Sequence, residues 1–317
     1  MNRNGLGSKR AKSISSTQAG KRRVADIGPD RIIRHFGASD IKGWYDATQP
    51  EIAGTANDAN LTFWYDKGSD QTHLAQATGS NPPKYIHDGL NGRPVVRGKA
   101  SAPFDVYSTA DAAGTAKNID WGASCSAFVL VKTANDENNH GIFGGDSGGS
   151  LPKSRFGAGS MQDQDPDRLR VECFGRVDNG GEFNFQVDNF YNAGGGMPTC
   201  RNQFALYYLE YEINAGETGA EDAFTRSAYT KEAITAISVS STGETNENKV
   251  NSSAATTMAA KGFDTDQMIV FKNIHTAMGF LDGDLGFIMF SNRHYTLKER
   301  QMISKAIQQI YGYADIN

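Results

Sequence analysis

From Leu61 to Asn292 the chain repeats one device, an apolar run rich in β-branched and aromatic residues followed by a cluster of Gly, Asn, Asp or Pro. The runs are LTFWYD, KYIHDG, RPVVRG, CSAFVLVKT, LRVECFGRV, EFNFQVDNF, NQFALYYLEYEIN, AITAISVSS, QMIVFKNI and GDLGFIMFSN. Runs of this kind read as strands. No helix of three turns fits between consecutive runs, which removes the crossovers that a parallel sheet needs. For a chain of 317 residues with 35 glycines, an antiparallel sandwich is the architecture that remains. The stretch from 240 to 262, SSTGETNENKVNSSAATTMAAKG, reads as a long polar loop.

One helix is expected, at 297–311. Thr296 and Glu299 have capping-box spacing, Leu297, Ile303, Ala306, Ile307 and Ile310 share one apolar face, and Gly312 ends the run. That face should lie against the sandwich.

The charge is unevenly spread. Residues 1–34 hold nine Lys or Arg against two Asp, a net +7, whereas the whole chain is −4, so the remainder is −11. With few large apolar residues and no period of 2 or 3.6, residues 1–34 read as a basic, extended N-terminal arm, and residues 35–317 as the folded body. Lys9, Arg10, Lys12, Lys21, Arg22 and Arg23 are the assembly residues of the arm, suited to acidic surfaces on neighbouring subunits. Phosphates would also attract them, but no aromatics are interleaved to stack bases, so nucleic acid is not the expected partner. No stretch approaches the ~20 apolar residues of a membrane span, and no apolar signal core follows the basic start. Membrane insertion and general secretory export are therefore not expected. Cys125, Cys173 and Cys200 lack C-x-x-C spacing and read as reduced thiols.

Three patterns invite a chemical reading. Gly145-Asp146-Ser147-Gly148-Gly149 resembles the serine motif of trypsin-like proteases and fits the G-x-S-x-G elbow of α/β-hydrolases. The upstream histidines, in RHF, THL, IHD and NHG, lack the protease context, and no helix pattern follows Ser147 to complete an elbow, although His275 and His294 lie downstream. The run reads as a turn after the strand GIF, leading into an irregular segment. Glu210 and Glu212 in YLEYEIN alternate onto one strand face, as a glycosidase acid pair would, but Asn214 stands at the third acid position and a solvated outer face is the simpler account. Asp163, Asp165 and Asp167 have the alternate spacing of calcium ligands. Arg168 and Phe174 occupy the EF-hand glycine and glutamate positions, so a solvated acidic loop is the simpler reading, any calcium would be loop-borne, and no other cofactor is implied.

Trp44-Tyr45-Asp46-Ala47, Trp64-Tyr65-Asp66-Lys67 and Leu90-Asn91-Gly92-Arg93-Pro94-Val95-Val96 follow in an order that resembles the opening of concanavalin A-like, laminin-G-type jelly rolls found in phage virion structural proteins and bacterial surface proteins. GDLGFIMFSN and the helix after it resemble the ending of that family. The resemblance covers roughly residues 38–145 and 265–314. It implies an all-β, antiparallel concanavalin A-like jelly-roll sandwich with a C-terminal helix. It further implies a non-enzymatic phage virion protein, a tail or capsid-decorating component localised to the virion, with other virion proteins, copies of itself and a host surface glycan as partners. A carbohydrate-binding module of a bacterial surface protein is the alternative, and a glycan hydrolase a more distant one. Two positions depart from the family pattern: Gly68-Ser69 reverses its usual order, and Gly98 stands where phenylalanine often follows the valine-arginine pair. Trp44, Trp64, Asp46, Asp66 and Asn91-Gly92 themselves read as scaffold and turn residues.

Overall fold

The computed structural model describes Ile32, His35, Phe36 and residues 39–68, 70–77, 80–100, 105–120, 124–134, 136, 138–146, 154–161, 168–176, 182–187, 200–213, 224–232, 267–272 and 279–312. The strands in chain order are β1 (Ile41–Asp46), β2 (Ala59–Asn60), β3 (Phe63–Trp64), β4 (His73–Gln76), β5 (Lys84–Leu90), β6 (Arg93–Gly98), β7 (Tyr107–Ala110) and β8 (Ser124–Thr133). They continue with β9 (His140–Asp146), β10 (Ser154–Met161), β11 (Arg168–Arg176), β12 (Glu182–Val187), β13 (Ala205–Ile213), β14 (Phe224–Glu232), β15 (Gln267–Val270) and β16 (Gly283–Ser291). Helix α1 (Leu297–Tyr311) follows.

Among the described residues the strands form two eight-stranded sheets. The first runs β14-β13-β8-β16-β6-β5-β2, with β1 also paired to β16, and the second runs β12-β11-β10-β9-β15-β7-β4-β3. Every pairing between these strands is antiparallel. The fold is therefore an all-β antiparallel sandwich with a C-terminal helix, as the strand list implies. No helix among the described residues is long and apolar enough to cross a membrane.

Two apolar layers explain the patterning. Val96, Ala127, Val129, Val131, Tyr207, Leu209, Ile288 and Phe290 of the first sheet meet Trp64, Leu74, Tyr107, Phe143, Met268 and Val270 of the second. On its other face the first sheet presents Phe128, Leu130, Leu206, Tyr208, Phe287 and Met289 to Ile303, Ala306, Ile307 and Tyr311 of α1, together with Ile32 and Phe36. β8 and β16 are buried on both faces, and so read as unbroken apolar runs rather than as alternations. In β16 the phase changes at a bulge, where the register slips between Leu285 and Phe287. Leu285 and Ile288 both face the sandwich interior because of it. Ile32, inside the stretch that reads as arm, is already fully buried in the outer layer.

The helix forms as its sequence predicts. Thr296 Oγ1 accepts from the Glu299 amide and the Glu299 side chain accepts from the Thr296 amide, a complete capping box. Gly312 closes the helix at φ 65°, its N–H donating to Gln308 at 2.7 Å. Ile303, Ala306 and Ile307 are fully buried and Ile310 is partly so, while the Leu297 side chain lies outside the described residues. Between β5 and β6, Asn91 and Gly92 have φ of 52° and 71°, and Leu90 pairs with Arg93. That is the two-residue hairpin in which both central residues are left-handed.

Seven strands are absent from the sequence list: β1, β2, β4, β7, β9, β10 and β14. β9 contains GIF and extends it at both ends. The irregular segment expected after Ser147 ends at Ser154, where β10 begins and pairs with β9 on one side and β11 on the other. Its sequence, SRFGAGSM, is too rich in small residues to carry an apolar signal. AITAISVSS and the 240–262 loop lie outside the described residues.

Candidate functional site

The residues that chemistry could use are best followed from the two Trp-Tyr-Asp stretches, which sit side by side. Asp66 is buried, and its Oδ1 accepts the amides of Trp44 at 2.7 Å and Gly68 at 2.6 Å, while Oδ2 accepts that of Thr72 at 3.0 Å. One carboxylate thus ties β1 to the loop between β3 and β4, and Tyr45 adds a hydroxyl donated to the Thr72 carbonyl. The Gly68 position explains itself, since a Cβ there would stand 2.9 Å from Asp66 Oδ1 and 3.3 Å from the Ile41 carbonyl. Burial raises the Asp66 carboxyl to about 6 against the pull of the three amides. The Asp66 amide in turn donates to His73 Nδ1 at 2.9 Å, so the His73 proton sits on Nε2. Desolvation, then the nearby Lys117 charge, lowers the His73 pKa and keeps the ring neutral.

Asp46, at the end of β1, plays the same part in its own turn. It accepts the Thr48 amide at 2.7 Å and the Thr48 hydroxyl at 2.6 Å. Its burial raises its pKa. Beside it, Tyr311 donates to the Gly286 carbonyl at the β16 bulge and accepts the Ala47 amide at 3.2 Å, which fastens α1 to the strand layer. Gly286 leaves room for this ring, since a Cβ would meet Tyr311 Cε1 at 3.1 Å.

A charged group crosses the outer face of the first sheet. Asp284, only 1% exposed, takes Arg97 Nε at 2.6 Å, Arg97 Nη2 at 3.0 Å and Lys132 Nζ at 2.8 Å, joining β6, β16 and β8. Nearby, burial raises Asp105 to about 6, opposed by the Lys99 amide and by the Lys84 and Lys99 charges. At the start of β9 the buried His140 ring spans the Asp136 carboxylate, 2.8 Å from Nε2, and the Asp282 amide, 3.2 Å from Nδ1. This clips the loop before β9 onto the segment before β16. Gly98 is also accounted for: a Cβ there would lie 2.9 Å from Phe271 Cε1 and closer still to Cδ1. The phenylalanine volume that the resemblance expects at position 98 is supplied from the segment after β15.

The candidates from sequence fall as follows. Asp163, Asp165 and Asp167 lie outside the described residues, as do Lys9, Arg10, Lys12, Lys21, Arg22, Arg23 and Ser147. Ser147 stands between β9 and β10, which pair antiparallel, and not between a strand and a helix as an α/β-hydrolase elbow requires. Glu210 and Glu212 lie on β13 opposite Ser126 and Ser124. The solvated outer face expected for that strand is corrected for its first half: Leu206 and Tyr208, in phase with these positions, are buried in the layer beneath α1. Among the described residues no three His, Cys, Asp or Glu side chains come together as a metal site. Cys200 is a free, buried thiol. Sequence reasoning passed over Asp284 and Asp105, which stand alone in apolar or loop runs, and considered His140 only as a protease base.

No family model matches the chain, and neither does any curated protein. Solved structures similar to it include the receptor-binding domain of botulinum neurotoxin C/D mosaic serotype, with a TM-score of 0.47 and 8% identity over 87% of this chain and 55% of that one. A structure of botulinum neurotoxin type C, whose cell entry depends on interaction with two ganglioside molecules, gives 0.46 and 8% over 87% and 53%. The binding domain of botulinum neurotoxin DC in complex with rat synaptotagmin II gives 0.43 and 8% over 86% and 52%. The chain spans about half the length of these structures.

Proposed function

We propose that the chain is a non-enzymatic structural protein of a phage virion, a tail or capsid-decorating component. In this reading the basic arm anchors it to other virion proteins or to copies of itself, and a concanavalin A-like jelly roll is displayed for subunit contacts and glycan binding. The observation that carries the non-enzymatic part is how the described acids and histidines are used. Asp46, Asp66, Asp105, His73 and His140 each hold backbone amides of turns or neighbouring segments, and Asp284 holds two cations. Groups with altered environments usually mark catalytic sites; here the same burial serves loop closure. The virion part is supported by the sequence resemblance and by the charge partition of +7 in residues 1–34 against −11 elsewhere, which makes arm and body of adjacent copies complementary.

Deleting residues 1–30 tests it, because the cut spares the buried Ile32 and Phe36. The truncated chain is expected to fold with an unchanged circular dichroism spectrum and to be missing from assembled particles. Normal incorporation would overturn the anchoring role. A carbohydrate-binding module of a cell-surface protein, the second reading, predicts glycan-array binding by the purified monomer and no particle association at all.

A further inference from the structure

The edge of the second sheet carries aromatic rings that the core does not use. β3 is the terminal strand of that sheet. Its Trp64 points inward and is fully buried, so strand alternation turns Phe63 and Tyr65 outward. Tyr65 is 39% exposed, the one exposed large hydrophobic side chain among the described residues. Phe63 lies 4.8 Å from Tyr65 and 5.0 Å from His73, and Tyr65 lies 5.7 Å from His73. The Tyr65 ring meets its two neighbours at 61° and 74°. Neither ring lies flat against it.

His73 gives this cluster a polar centre. It is 8% exposed, its Nδ1 is occupied by the Asp66 amide, and Nε2–H has no acceptor among the described residues. With Nδ1 accepting from the backbone and the ring neutral, Nε2–H is a directional donor without charge beside the aromatic rings, of the kind a ligand hydroxyl can accept from. Small residues lie next to the rings on the same face: Phe63 pairs with Ala75, Ala75 with Ser108, and His73 with Ala110. The rings therefore form a ridge beside a low shelf. Of the nearby cations, Lys42 pairs with the Asp70 carboxylate and Lys117 donates to the Asp70 carbonyl, and the body outside residues 1–34 carries −11, a balance that does not favour an anionic ligand.

We infer that Phe63, Tyr65 and His73 form a subsite for a neutral pyranose ring, with its C–H face on Tyr65, Phe63 against its rim and one of its hydroxyls accepting from His73 Nε2. This rests on the glycan-binding part of the function proposed above. Flat aromatic faces suit a sugar because they bury its C–H surface, while the neutral imidazole supplies direction without charge.

The test uses the full chain on an array of immobilised neutral glycans, with Tyr65→Ala, Phe63→Ala and Tyr65→Trp beside the wild type and urea midpoints as the folding control. For the glycan that the wild type binds best, Tyr65→Ala and Phe63→Ala are each expected to weaken binding about tenfold or more, and Tyr65→Trp to keep it within about threefold. If either alanine variant fails to fold, Tyr65→Gln is read in its place against the same outcome. Wild-type binding with both alanine variants within about twofold would overturn the subsite and leave the glycan-binding reading intact. Binding of no glycan by the wild type would overturn both.

Discussion

Exchanging the residues at 98 and 271 offers a demanding test of how the core is filled. Phe271 is fully buried in the layer between the sheets and has φ 70°, a left-handed conformation that costs a β-carbon-bearing residue about 1 kcal/mol or more. Gly98 has no Cβ where that ring passes. Phe271→Gly alone should lose about 3–5 kcal/mol of packing and regain about 1 from the relaxed backbone, a net loss of about 2–4 kcal/mol. Gly98→Phe alone drives one ring into another and should cost about 1–3 kcal/mol or more. The double variant returns one phenyl ring to the same space and puts glycine at the left-handed position, so it should lie about 2 kcal/mol or more above the sum of the singles. Full recovery is not expected, because a Cβ at 98 also sits 3.0 Å from the Leu281 carbonyl. Urea unfolding followed by tryptophan fluorescence measures all four proteins. A double variant no more stable than the additive sum would refute the idea that Phe271 fills the volume left by Gly98.

Burial-raised carboxyls make stability fall as the pH rises through about 4 to 6. Asp66 has a folded value of about 6 against a usual ~3.8, so its contribution is complete below the unfolded value and is lost above the folded one, about 3 kcal/mol at most. Urea midpoints of the wild type should therefore drop across that window, and Asp66→Asn should flatten the drop, leaving the part due to Asp46 and Asp105. Thr296→Ala removes the capping hydroxyl of α1 and should cost about 1 kcal/mol by urea unfolding, with Thr296→Ser close to neutral. Asp284→Asn should cost about 1–3 kcal/mol, below the 3–5 of a fully buried pair, because Arg97 and Lys132 stay 46% and 27% exposed and keep their hydration. Double-mutant cycles with Arg97→Met would measure that coupling directly.

Elements whose reason to exist is local could be read from the sequence. α1 has its cap, apolar stripe and terminal glycine within its own residues, and the β5–β6 hairpin has Asn91-Gly92. β8 and β16 announce themselves because burial on both faces leaves no polar alternation. β10 and β14 escape notice because their glycine, serine and charged residues make no apolar pattern, and their places are set by pairing with neighbouring strands. The burial of Leu206 and Tyr208 was illegible for another reason. What covers them arrives from α1 and from Tyr295, far along the chain. Of the candidate site, the scaffold role of Trp44, Trp64, Asp46 and Asp66 was legible. The edge position of Tyr65 and the placing of His73 beside it were not, since both depend on which strand ends the second sheet.

The pairing of β1 with β16 also has a cost in time. Ser291 donates to the Asp40 carbonyl across 251 positions, and Phe36 packs edge-on against Tyr295 at 5.3 Å. During synthesis the first strand emerges long before its partner, and contacts this distant in sequence slow the search for the native arrangement. Until β16 and α1 leave the ribosome, Trp44, Phe128 and Leu130 lack the layer that covers them. The half-built sheet therefore stays without its outer layer for most of the time it takes to translate the chain.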